Sequence, residues 1–211
     1  MYFFDRIDAA EQLVPLLEKY KNQDCVVLAV PRGGVPMGYH IAQKLGFPLD
    51  LLMTKKIGHP NNPEYAIGAV SLEGTLRDEE QDVSEDYIQY ETQRIRKQLQ
   101  DRYQRFMPDK KPLDLTHKIV IVVDDGIATG YTILAAIELL RKKKPAKIVV
   151  AVPVAPPDSA NKVRKQVDDF ICLHTPVSFY GVGRFYENFE EVTDDKVIQL
   201  LKQMDTQKTK T

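Results

Sequence analysis

Two cysteines, four histidines, no tryptophan and a net charge of −1 set the first limits on this 211-residue chain. Two cysteines are too few for a disulfide framework. Cys25 and Cys172 each sit in or beside a strand-like run, where a free thiol packs as a small hydrophobe. His40, His59, His117 and His174 form no pair at helical ligand spacing, so a zinc centre has no support. With almost no net charge there is no global field to gather nucleic acid or an anionic membrane. An anionic substrate must instead be held by local amides, Lys and Arg. Long apolar runs are also missing. The longest, Ile148 to Pro157, is too short for a bilayer and contains three prolines. Met1 to Arg6 lacks the apolar core and cleavage signal of a leader. Together these absences point to a cytosolic protein with no membrane and no nucleic-acid partner.

What is present suits a globular α/β protein. Hydrophobic residues make up 43% and charged residues 28%, ordinary values for a packed core under a solvated surface. Strand-like and helix-like segments alternate along the chain. Asp8 and Glu11 suggest a capping box for a helix reaching Tyr20, with Pro15 expected to kink or split it. Cys25–Val30, Leu49–Met53, Ile119–Val123, Lys147–Val152 and Phe170–Leu173 read as buried strands. Pro36–Leu45, Ile133–Lys143, Ser159–Lys165 and Thr193–Met204 read as helices. Ala66–Ser71 and Thr75–Arg77 flank Glu73-Gly74 as a hairpin. Ser84–Phe106 reads as a long helix, with Ile88, Thr92, Ile95, Leu99 and Phe106 on one stripe. The stretch from Gly58 to Pro63 is rich in breakers and reads as a loop. Alternating strands and helices predict a doubly wound, mainly parallel sheet. One domain over residues 1–204 is expected, with an insertion at about 75–117 and a flexible tail at 205–211.

The most informative stretch begins with the five β-branched residues Ile119 to Val123. Asp124 and Asp125 end that strand, and Gly126, Ile127, Ala128, Thr129, Gly130, Tyr131 and Thr132 lead into a helix. A strand–turn–helix aims backbone N–H groups and a positive dipole end above the sheet, which suits phosphate. Carboxylates repel phosphate but accept hydrogen bonds from sugar hydroxyls. Phosphate donors beside hydroxyl acceptors read as a ribose-5-phosphate site. The plain alternative is a βα turn capped by Thr129. A nucleotide P-loop is excluded because no lysine follows Gly130.

This stretch resembles the phosphoribosyl-diphosphate (PRPP) signature of the type I phosphoribosyltransferases. The resemblance implies that Asp124 and Asp125 hold the ribose hydroxyls and that Ala128, Thr129, Gly130, Tyr131 and Thr132 wrap the 5′-phosphate. Gly126 stands where the family usually carries an apolar residue. Arg32, Gly33 and Gly34, after the first strand, resemble the family's diphosphate loop. Glycines allow close backbone approach there, and Arg32 offers a planar donor fork for phosphate oxygens. Lys55, Lys56, His59 and Glu64 resemble the family's flexible catalytic loop. By that resemblance Lys55 or Lys56 meets the diphosphate, and Lys56, Arg32 and Glu64 are the catalytic candidates.

The implied fold is a six-stranded sheet with a hairpin strand antiparallel to the rest. The implied reaction moves the 5-phosphoribosyl group from PRPP to a nitrogen acceptor and releases diphosphate, with Mg²⁺ brought mainly by PRPP. Phe179, Tyr180 and Val182 are candidates for an acceptor pocket. Aromatics packing a C-terminal lid onto the core are an equal reading of Phe179 and Tyr180. Enzymes for 6-oxopurines usually carry an acid where this chain has Ala128, and a lysine where it has the apolar stretch Val152–Pro157. Arg94, Arg96, Lys97, Arg102, Arg105, Lys110 and Lys111, interrupted by Glu91 and Asp101, read as a solvated helix face. The rival from another class is a regulator of this fold that senses PRPP or a nucleotide without catalysis. A homo-oligomer is left open.

Overall fold

The computed structural model describes residues 2–77 and 83–208. Five strands form an all-parallel sheet in the order β2-β1-β6-β7-β8. They are β1 (Cys25–Ala29), β2 (Leu49–Leu51), β6 (Ile119–Val123), β7 (Lys147–Val154) and β8 (Asp169–His174). β6 is buried at every position. Its alternation divides the core: Ile119, Ile121 and Val123 face one layer and Val120 and Val122 the other. The first layer is closed by α1 (Arg6–Leu17), α2 (Gly34–Leu45), α3 (Glu85–Phe106) and α6 (Asp194–Lys208). The second is closed by α4 (Tyr131–Arg141) and α5 (Pro157–Arg164). Both faces are covered, so continuous apolar strands are what the sheet requires.

The remaining strands, β3 (Thr54–His59), β4 (Asn62–Ser71) and β5 (Thr75–Arg77), form a separate antiparallel sheet in the order β3-β4-β5. The expected six-stranded sheet with one antiparallel member is therefore two sheets. The Gly58–Pro63 loop is likewise mostly strand, turning only at Pro60 and Asn61. Two local features let the breakers be absorbed. Pro60 and Asn61 occupy the central positions of a turn, which both residues favour. The register shifts on either side of Gly58, and a side chain there would stand 2.5 Å from the Pro63 carbonyl oxygen. The Glu73-Gly74 hairpin forms as expected, joining β4 to β5.

Helix ends show further differences. Asp5, not Asp8, caps α1, accepting from the N–H groups of Ile7 and Asp8. Asp8 instead accepts from the Phe4 N–H. Pro15 lies inside α1 without splitting it, and a short 3-10 turn then carries the chain to Tyr20. The helix α6 continues past Met204 to Lys208, into the expected flexible tail, whose last three residues lie outside the described ones.

The long helix α3 is held by its apolar stripe and by a buried acid. Asp50, in β2, is 2% exposed. Its carboxylate accepts from the Leu51 N–H, the Tyr103 hydroxyl and the Leu113 N–H at 2.7, 2.9 and 2.7 Å. A buried carboxylate left unpartnered would destabilise the fold by several kcal/mol, on the order of 3–5. These three donors join the sheet edge, α3 and the segment leading to β6. Among the described residues, no helix is long and apolar enough to cross a membrane.

Candidate active site

The strand order reverses between β1 and β6, where β1 leads outward to β2 and β6 leads the other way to β7. Ligands of open α/β sheets bind in the crevice beyond the carboxyl ends of such strands. β1 and β6 pair along their whole length, Cys25 with Ile119 through Ala29 with Val123. The loops that follow them are consequently in contact. A Cβ on Gly33 would lie 2.0 Å from Oδ2 of Asp125, and one on Gly34 would lie 2.5 Å from the Val123 carbonyl oxygen. Only glycine permits that approach. Gly33 and Gly34 open α2, so this helix also starts beside the acid pair.

Past the acids, the chain turns into α4 around a cavity of about 160 Å³ lined by Asp124, Gly126, Ala128, Thr129, Gly130 and Thr132. Among the described residues, the N–H groups of Ala128 to Thr132 donate no internal backbone hydrogen bond. A run of free donors at a helix N-terminus is a cradle for an anion. The loop is braced from outside: the buried Ser159 hydroxyl donates to the Ala128 carbonyl at 2.7 Å. Ser159 carries no signal in the sequence beyond its place in the first turn of a helix.

The acids are perturbed. Burial, and then the charge of Asp125, push the Asp124 carboxyl well above the usual carboxylate range. Burial also raises Asp125, with Arg6 opposing it. Oδ1 of Asp124 accepts from the Asp125 N–H at 2.8 Å. The Tyr186 hydroxyl donates to the Asp125 carbonyl at 2.6 Å. Arg6 and Tyr186 come from opposite ends of the chain, and Arg6 gave no signal in the sequence. They converge because Phe3 and Phe4 pair with the 185–188 segment through backbone hydrogen bonds of 2.7, 2.8 and 2.7 Å.

Arg32 sits at the crevice but is engaged elsewhere. It pairs with Glu191 and lies 3.5 Å from Asp194 at the start of α6. Arg102 and Arg105 of α3 approach the same Asp194 at 3.6 and 3.1 Å. Part of the basic helix face is thus turned toward α6. Lys55 and Lys56 both lie in β3. Lys55 donates to the Gln98 side chain of α3 at 3.1 Å. Lys56 pairs in register with Ala69, which packs with Leu76 and Leu139. His59 accepts from the Asn61 N–H through Nδ1, and the Tyr87 hydroxyl anchors the hairpin at the Gly58 carbonyl. Glu64 is in β4, but its side chain lies outside what the structure describes.

The acceptor candidates separate. Val182 reaches the motif loop: a Cβ on Gly126 would stand 2.6 Å from its Cγ1. Phe179 stacks on Phe185 with ring centroids 5.5 Å apart. Tyr180 is 88% exposed. Cys25 and Cys172 are free, and burial raises each thiol to about 11, so both stay protonated at neutral pH.

A family model described as the phosphoribosyl transferase domain matches residues 6–186. The chain belongs to this family. Two Mycobacterium tuberculosis proteins, from strains CDC 1551 / Oshkosh and H37Rv, are provisionally named phosphoribosyl transferases and are 38% identical over 204 residues. The match covers 94% of this chain but 46% of theirs, so the chain spans about half the length of these curated relatives. The crystal structure of TT1426 from Thermus thermophilus superposes with a TM-score of 0.86 at 33% identity, covering 97% of this chain and 99% of that one. A uracil phosphoribosyltransferase from Mycoplasma genitalium is 42% identical over 65 residues, 29% of this chain and 32% of that protein. Membership in the phosphoribosyl transferase family agrees with the type I fold expected from the motif.

Proposed function

We propose that this phosphoribosyl transferase domain moves the 5-phosphoribosyl group from PRPP to a nitrogen acceptor and releases diphosphate. The observation that carries the reading is the contact of Gly33 with Asp125 at the β1–β6 crevice, beside the free amides of the 128–132 loop. One ligand with a phosphate at one end, a diol in the middle and a diphosphate at the other fits that sequence of groups. The 128–132 amides would take the 5′-phosphate. Asp124 and Asp125 would take the 2′- and 3′-hydroxyls, and the loop Arg32–Gly34 the diphosphate.

Cleavage at ribose C1 builds positive charge on the ring and negative charge on the leaving diphosphate. Placement and charge stabilisation are therefore the main tasks of the protein. Arg32 and one of Lys55 and Lys56 supply cations, and the acid pair holds the ring. Among the described residues, no group of three or more His, Cys, Asp or Glu gathers as a metal cluster. Mg²⁺ commonly keeps several waters and is held through substrate phosphates, and with Asp124 and Asp125 assigned to the ribose hydroxyls its ligands would come mainly from the bound diphosphate. When bound, Mg²⁺ would offset charge on the departing diphosphate.

The stretch where 6-oxopurine enzymes carry a lysine offers no polar side chain here. Val152, Val154 and Ala155 are buried, and Ala128 stands where an acid would meet a 6-oxopurine. A polar base edge left unpaired there would weaken binding by about 1–3 kcal/mol per lost partner. Adenine or an unrelated nitrogen acceptor fits better than hypoxanthine or guanine.

The test is diphosphate release from Mg²⁺–PRPP across a panel of acceptors, with thermal stability measured in parallel. Binding at about 100 times the dissociation constant should add roughly 2.7 kcal/mol, a shift of a few degrees. A stability shift with no release for any acceptor would favour the sensing regulator. No shift at all would remove both readings.

A further inference from the structure

Arg6 is the residue at which three distant segments meet. It occupies the first turn of α1, positioned by the Asp5 cap. Its Nε and Nη2 both lie 2.9 Å from Oδ2 of Asp125. Its Nη1 donates to the Glu190 carbonyl at 2.8 Å, and its guanidinium carbon stands 3.9 Å from the centroid of the Phe189 ring. The Arg6 side chain is 11% exposed and that of Asp125 is 15% exposed. A planar fork with five donors suits such a junction, and a lysine ammonium cannot reproduce its simultaneous reach.

The consequence for the acid pair is directional. Oδ2 of Asp125 is enclosed between Arg6 and the bare Cα of Gly33. On Asp124, Oδ1 is committed to the Asp125 N–H. Among the described residues, no other residue donates a hydrogen bond to Oδ1 of Asp125 or to Oδ2 of Asp124. One acceptor oxygen on each of two consecutive acids is the complement of two hydroxyls on adjacent ring carbons.

We propose that Arg6 is a positioning residue for ribose recognition, committing Oδ2 of Asp125 so that each acid presents one free oxygen to a vicinal diol. The inference rests on the PRPP reading above and names a residue that reading does not use. Arg6 acts through Asp125 and does not itself touch the sugar. Without it, Asp125 can rotate and its buried charge loses its counter-ion, so the cost falls on hydroxyl recognition and not on the phosphate cradle.

Binding of ribose 5-phosphate, 2-deoxyribose 5-phosphate and inorganic phosphate to the whole chain, measured by calorimetry, tests this on wild type, Arg6→Gln and Arg6→Lys. Wild type should prefer the ribose ligand by about tenfold or more, the effect of one hydrogen bond to a charged group. Arg6→Gln should lose most of that preference while inorganic phosphate binds as before. Arg6→Lys should recover an intermediate preference. Full preference in both variants overturns the role of Arg6 and leaves the PRPP reading standing. No preference in wild type overturns the ribose reading, and this role with it. Should Arg6→Gln fail to fold, Arg6→Lys decides alone: it should bind phosphate normally with reduced preference, and full preference overturns the proposal.

Discussion

Gly33 and Asp125 are packed so closely that a Cβ on the glycine would fall 2.0 Å from the carboxylate oxygen. The glycine has φ −59° and ψ −36°, torsions that any residue adopts, so the requirement is steric. Gly33→Ala should keep the helical and strand content while forcing the two ligand loops apart. A displacement of about 1 Å at a reacting centre can lose roughly a hundredfold in rate, and a loss of that order in turnover is expected. Circular dichroism with a diphosphate-release assay checks it; unchanged turnover would mean that the two loops do not serve one ligand.

Asp124→Asn and Asp125→Asn should each weaken PRPP binding. Hydrogen bonds to charged groups contribute about 1.5–3 kcal/mol, or roughly ten- to a hundredfold in affinity. Calorimetric titration with Mg²⁺–PRPP measures it. Normal affinity in both variants would show that the ribose lies elsewhere.

The same pair should leave a mark on stability. Asp124 has a folded-state pKa above its ordinary value because of burial and then the charge of Asp125. Such an acid holds its proton more tightly folded than unfolded. Its contribution is therefore fully present below about pH 3.9, declines as pH rises through the raised value, and stays low above it. Asparagine cannot ionise and escapes that decline. Asp124→Asn should melt at higher temperature than wild type at pH 8, with a smaller gain or none at pH 4. Melting curves at the two pH values decide, and an equal gain at both would remove the buried charge as the cause.

Arg32 is engaged by Glu191 and Asp194, so a diphosphate must compete with carboxylates for its guanidinium. Glu191→Gln removes one competitor at an exposed position. Exposed ion pairs are worth about 0.2–1 kcal/mol, so PRPP should bind roughly one- to fivefold more tightly. Weaker binding would instead indicate that Glu191 holds Arg32 in its working orientation.

Lys55 and Lys56 are adjacent in β3, and kinetics separates them. Lys55 donates to the Gln98 side chain, and Lys56 occupies the neighbouring β3 position, paired with Ala69. If Lys56 meets the diphosphate as it leaves, Lys56→Ala should lower kcat more than PRPP affinity, and Lys55→Ala should change both little. Steady-state kinetics on the two variants, with PRPP affinity measured separately, checks it. A larger kcat loss in Lys55→Ala would exchange the roles.

Much of the fold was written locally. Ile119 to Val123 is five β-branched residues in succession, and a central strand buried on both faces is the structure that such a run fits. The acid pair, the turn and the start of α4 follow it within a few residues, so the motif could be read without the rest of the chain. The glycine pair after β1 was legible for the same reason. The Gly58–Pro63 stretch misled because breaker residues are judged one at a time, while Pro63 and Gly58 are accommodated jointly across a strand pair.

Tertiary structure alone decided what surrounds the acids. Arg6 is 119 positions from Asp125, and Tyr186 is 61 positions away. Neither periodicity nor local spacing can register contacts at that separation. They exist because the N-terminal residues pair with the segment after β8, through backbone hydrogen bonds and through contacts such as Phe3 with Tyr186, ring centroids 5.3 Å apart, that join residues far apart in sequence. Composition and pattern determined the strands, the helices and the chemistry at the end of β6. Packing determined which oxygens of that chemistry remain free, because that depends on which distant donors the closed chain brings within hydrogen-bonding reach.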